Sequence, residues 1–167
     1  LSIHAPIFFI SRFFTSGVVG HYSLAVTLLG IPVQVVGFSI GKVFFQRAIE
    51  AFRHEEVEFR LKALLLFKII LAIGLVGYGI IFVFGSNIFV FLAGKEWLDA
   101  GQIASVLSLG VLFQFVEVIF RPIYRVFDKQ NQQLTVDILG AFLVAITIAY
   151  LAISNDLFVF LFLFTIA

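Results

Sequence analysis

Four polar residues stand in the otherwise apolar run GQIASVLSLGVLFQFVEVIFRPIYR of residues 101–125: Gln114, Glu117, Arg121 and Arg125, at spacings of three, four and four. On an α-helix those spacings stack side chains along one face. The run opens as about twenty residues able to cross a bilayer, roughly the number a helix needs to span the hydrocarbon. A line of amide, carboxylate and guanidinium groups cannot face acyl chains cheaply. It looks onto protein, water or a bound ligand, or it lies near a membrane surface. The chemistry on offer is binding. Glu117 and Arg121, one turn apart, also form an i, i+4 pair that would offset the cost of the carboxylate.

Other polar residues have two readings each. A charge at the centre of a bilayer costs about 2.5–3.5 kcal/mol on insertion scales, and less near a helix end. Lys42 shares a helix stripe with Gln34, Phe38 and Gln46; it either lines a cavity with these amides or reaches back to the interface. Lys68 lies under two turns into its apolar segment, so it snorkels. Asp137 is expected in the first turn of its helix, where the N-terminal dipole stabilises a carboxylate; with Glu117 it is a candidate for ion coupling. Arg121 and Arg125 flank Pro122, and ordinary anchoring by positive charge at the cytoplasmic face accounts for both. Arg12 either reaches the outer interface or faces an internal aqueous cavity.

Catalytic and metal chemistry find no support. There is no cysteine, which excludes disulfides, thiolate catalysis and thiolate-bound metals. His4, His21 and His54 stand far apart, with no nearby carboxylate cluster at ligand spacing. Gly41-Lys42 does not belong to a phosphate loop: Val36 occupies the first glycine position and Val43 the place of the magnesium-binding hydroxyl. No nucleophile and base fall into a pair. Basic residues are scattered singly without a nucleic-acid recognition motif. Glu55, Glu56 and Glu58 read as a solvated charged face.

The elements that must position these groups are membrane helices. Hydrophobic residues make up 62% of the chain and charged ones 13%, about half the charged fraction of a soluble domain. Mean hydropathy is +1.14. The spans expected are 3–14, 22–46, 61–84, 101–121, 134–153 and 157–167, the first and last truncated. A chain that starts and stops inside apolar segments reads as part of a longer polytopic protein. Thr15-Ser16-Gly17 with Gly20 is expected to turn, Pro32 to kink the second span, and Gly85-Ser86-Asn87 to end the third, before a short apolar dip over 88–93. Gly30, Gly37 and Gly41 would admit a neighbouring backbone. Residues 47–60 and 122–133 are the expected cytoplasmic loops, the first continuing its helix as an amphipathic interfacial piece. Arg47, Arg53, Arg60, Lys62, Arg121, Arg125 and Lys129 fall on that side, against Lys95 and Arg12 opposite. Alternating polarity in segments of about ten residues, the mark of a spanning barrel, is absent. The fold class is an all-α polytopic bundle of about six segments.

Several stretches resemble a known family. Gly17-Val18-Val19-Gly20-His21-Tyr22-Ser23-Leu24-Ala25 is similar to the "VGxYxLA" helix entry of oligosaccharide flippases of polysaccharide biosynthesis. Val43-Phe44-Phe45-Gln46-Arg47-Ala48 resembles the end of the same helix. Phe84-Gly85 followed by Gly94-Lys95-Glu96-Trp97-Leu98-Asp99-Ala100-Gly101 resembles the family's "FG … GxxWxxAG" hairpin. Pro122 and Arg125 sit where that family often carries a proline and a basic residue; Arg121 departs from the small residue expected there. The resemblance implies two bundles of six helices about a central cavity, as in the related multidrug exporters, with this chain supplying most of the second bundle. It also implies an activity in the bacterial inner membrane without enzymatic chemistry or cofactor. That activity is transfer of a polyprenyl-diphosphate-linked oligosaccharide from the cytoplasmic to the outer leaflet by alternating access. Arg12, Lys42 and Arg125 with Gln34, Gln46 and Gln114 would then line the path. A cation-coupled drug exporter would lean on Glu117 and Asp137 instead. Membrane lipids and the lipid-linked glycan are the expected partners.

Overall fold

The computed structural model describes residues 6–54, 56–126 and 129–154. Every described element is helical: α1 (Pro6–Phe13), α2 (Ser16–Pro32), α3 (Phe38–His54), α4 (Glu56–Ala93), α5 (Leu98–Phe120), α6 (Ile123–Val126) and α7 (Gln130–Ser154). A wide π turn over Val33–Gly37 joins α2 to α3, and a 3₁₀ turn over Lys95–Trp97 precedes α5. Among the described residues, three helical runs are long and apolar enough to cross a membrane: Ser16–Glu50, Leu61–Ala93 and Lys95–Phe120. That is the make-up of an integral membrane protein. Of the other expected spans, α1 has eight residues and α7 covers 134–153 as helix. Residues 157–167 lie outside the described residues, as do His4 and Glu55.

Helix α5 is the centre. Ala100, Ile103, Ala104, Leu107, Val111, Phe115 and Ile119 are all buried, at steps of three and four that make one continuous apolar ridge. Against it α4 lies antiparallel, touching through a narrow seam of Ile70, Gly74, Tyr78, Gly85 and Phe89. The rest of α4 turns bulky groups outward, with Val76, Val83 and Phe91 exposed. An apolar surface of that extent suits acyl chains rather than water. Helices α2 and α3 cover the other side of α5.

One expected break is absent and the others are shorter than expected. Helix α2 starts at Ser16 after an extended Thr15, so Gly17 and Gly20 are helical and the span begins before Tyr22. Gly85-Ser86-Asn87 lies inside α4, which runs unbroken for 38 residues to Ala93; there is no separate dip over 88–93. In a bilayer an unpaired backbone group has no water to turn to, so turn-forming residues stay in the helix. The chain reverses at Gly94 instead, where φ is +103°, a conformation glycine adopts at no steric cost. Nor is 47–60 a simple loop: α3 continues to His54 and α4 begins at Glu56, in keeping with an amphipathic extension. Likewise 122–133 contains α6 and the start of α7.

Pro32 does not end its helix. Its missing N–H is absorbed by the π turn that follows. Val33 N–H bonds back three residues to Gly30 O, away from Leu29 O, its partner in a regular ladder. The Tyr78 hydroxyl donates to the Leu29 carbonyl from α4 at 3.1 Å. Tyr78→Phe should therefore cost about 1–3 kcal/mol by leaving a buried carbonyl without its donor. Unfolding in detergent checks this; a variant as stable as the parent would mean that the carbonyl is satisfied within its own helix.

Candidate functional site

Where α5 ends beside the first turns of α3, four elements line a pocket of about 890 Å³. Lys42 comes from α3, Gln114 and Glu117 from α5, Arg121 and Pro122 from the α5–α6 corner, and Gln133 from α7. Phe38, Phe45 and Val118 supply apolar wall, and Gly41 floor. The approach of α3 to α5 makes this possible. A Cβ at Gly37 would stand 2.7 Å from Val118 Cγ1, and one at Gly41 3.0 Å from the Val118 carbonyl oxygen. Gly41 admits the α5 backbone as expected, whereas Gly37 meets the side chains of Val118 and Phe115. Gly30 does neither, its nearest neighbour being Gln34 of the same helix. With α3 held so close, Lys42 and Glu117 line one cavity. Phe44 of α3 packs on Phe120 of α5, ring centroids 5.0 Å apart and edge to face.

Arg121 organises the charges. Its Nη2 donates to both carboxylate oxygens of Asp137, each at 2.8 Å. Its Nε stands 3.6 Å from Glu117 Oε1, the i, i+4 pair anticipated from spacing. Asp137 is not in a first helical turn, because α7 begins at Gln130; its carboxylate is held by a guanidinium across the helix gap rather than by a dipole. Gln114 lines the pocket, and its Oε1 is a buried acceptor with no hydrogen-bond partner. No shared charge cluster fit for a metal forms among the described residues.

The sequence-derived candidates divide. Lys42, Gln114 and Glu117 come together, and Asp137 joins them through Arg121. Gln34 and Gln46 are exposed on the α2–α3 flank and form no part of this wall. Gln34 sits in the π turn, which changes the phase between it and Lys42; Gln46 follows the wall residue Phe45 and is exposed outside the lining. Arg12 is exposed on α1, also away from these walls. Arg125 belongs to α6, and its side chain lies outside the described residues. Arg121 and Gln133 were not anticipated as walls. The signal for Arg121 was present: two near-membrane carboxylates demand a counter-charge, and it stands one turn from the first.

The opposite end of the bundle is built differently. His21 of α2 packs edge to face on Trp97, centroids 5.5 Å apart, with its Nδ1 4.0 Å from Asp99 Oδ2. This contact ties the start of α2 to the Gly94 reversal. Comparison of the chain with protein families, with curated proteins and with solved structures gave no match.

Proposed function

We propose that the chain is part of a membrane transporter that moves a polyprenyl-diphosphate-linked oligosaccharide across the bacterial inner membrane. The observation that carries the reading is the pocket in which Lys42, Gln114, Glu117, Arg121 and Gln133 converge at one end of three apolar helices. A diphosphate and a hydrated sugar cannot enter hydrocarbon unaided; they need cations and amides on an internal surface. Lys42 meets the phosphate charge, and the unpaired Gln114 carbonyl meets a sugar hydroxyl. Phe38, Phe45 and Val118 suit the first isoprene units beside the headgroup. The order of the Gly17–Ala25, Val43–Ala48 and Phe84–Gly101 motifs supports the same assignment.

Glu117 in the wall, with Asp137 behind it, favours a second reading: a cation-coupled exporter of amphiphilic drugs. Vesicles reconstituted with the protein separate the two. Flipping of a fluorescent lipid-linked oligosaccharide, with no uptake of cationic dye, supports the first; the reverse result discards it. In the same assay Lys42→Gln should lower flipping about tenfold, the equivalent of one charge-assisted hydrogen bond. Undiminished flipping would remove Lys42 from the path.

A further inference from the structure

We infer that Arg121 is an exchangeable tie between α5 and α7: a phosphate group entering the pocket takes the guanidinium from Asp137, and the first turns of α7 then leave the end of α5. The inference rests on the pocket being the headgroup site proposed above. Three observations carry it. Arg121 is itself a wall of the pocket, so an anion bound there meets the cation that already holds Asp137. The pair is accessible, with side-chain exposures of 37% for Arg121 and 39% for Asp137, so solvent and ligand reach it. Among the described residues, helix α7 is otherwise lightly held. Among its residues with described side chains only Val144 is buried, and its packing is against α6 and α1.

The exchange swaps one anionic partner of the guanidinium for another. A carboxylate and a phosphate both present paired oxygens to the planar guanidinium fork. The phosphate carries more charge and finds Lys42 in the same cavity, whereas Asp137 has no second cation there among the described residues. Glu117, 3.6 Å from Arg121 Nε, keeps the guanidinium aimed at the pocket after Asp137 has gone. When the anion leaves, Asp137 recaptures Arg121 and α7 returns. A ligand shifts such an equilibrium by its preference for one state, and here the preference comes from the competition for a single cation. Arg121 is thus a positioning residue that couples occupancy of the pocket to the position of α7.

The chain contains no cysteine, so Val43→Cys on α3 and Asn131→Cys on α7, both at exposed positions, accept spin labels there alone. Electron–electron distances are measured in nanodiscs with inorganic pyrophosphate, with polyprenyl diphosphate in the bilayer, and with neutral polyprenol. The expected result is a longer distance with either diphosphate and no change with polyprenol. A shift with the lipid-borne diphosphate alone assigns the trigger to a membrane-presented headgroup and also supports the tie. Asp137→Asn should show the long distance without ligand while retaining its helical circular dichroism, and Arg121→Lys should populate both distances. The tie is overturned if Asp137→Asn keeps the parent distance, or if no diphosphate changes it. A distance that responds to diphosphate in a protein that flips no lipid-linked oligosaccharide would sink the transport reading and leave the tie standing.

Discussion

Gly101→Leu is expected to force α4 and α5 apart and to cost about 3 kcal/mol, the upper end for overpacking of a close-fitted core. A Cβ at Gly101 would stand 2.5 Å from Ser86 Cα and 2.8 Å from the Gly85 carbonyl oxygen. Those are backbone atoms, so no rotamer change relieves the clash. The contact is reciprocal, since a Cβ at Gly85 would meet the Gly101 carbonyl oxygen at 2.8 Å. Ser105 adds to the crossing, its hydroxyl bonded to Gly101 O at 3.1 Å and placed 3.2 Å from Ile81 O. Without a hydrophobic force between helices in lipid, such close approach of small residues is what holds a hairpin together. Gly77→Ala is the control: nothing lies within 4 Å of its Cβ position, and it should gain up to about 1 kcal/mol from helix propensity. Unfolding in mixed micelles measures both. Equal stability of the two variants would refute the close crossing.

Arg121→Gln should be the most damaging change at the pocket. It leaves Glu117 and Asp137 without the cation they share, on side chains half-exposed at most. Removing one partner of a fully buried pair costs about 3–5 kcal/mol. Partial exposure here lets water share the charge, so about 2 kcal/mol is expected. The variant combining Arg121→Gln with Glu117→Gln and Asp137→Asn should recover most of that loss, because a neutral amide set carries no uncompensated charge. It should not recover flipping. Thermal stability and lipid transfer measured on the same preparations test this. If the triple variant is no more stable than the single one, the guanidinium acts through packing rather than through its charge.

These two sites also mark what a sequence can and cannot disclose. The helical class, the long apolar runs and the i, i+4 pairing of Glu117 with Arg121 follow from composition and local spacing. All three are properties of residues close together along the chain. The Asp137–Arg121 bond crosses between helices and has no local signature. Gly85-Ser86-Asn87 was misleading for a physical reason: those residues favour turns where water competes for the backbone, but in a bilayer the same small side chains serve as a contact surface. Lys42 lines the pocket and its stripe neighbours Gln34 and Gln46 do not, because equal spacing along a helix implies a shared face only while the helix stays regular.

The π turn after Pro32 settles how α2 and α3 can meet one partner over their whole length. Leu29, Val33, Gly37 and Gly41 are all buried, each four residues after the last. In an ideal helix three such steps wind the line around the cylinder by about 120°, and Gly41 would then point away from α5. The looser coil unwinds that drift locally, so the seam runs straight past the proline. A single surplus residue thus works as a phase corrector, setting the rotation at which α3 presents Lys42.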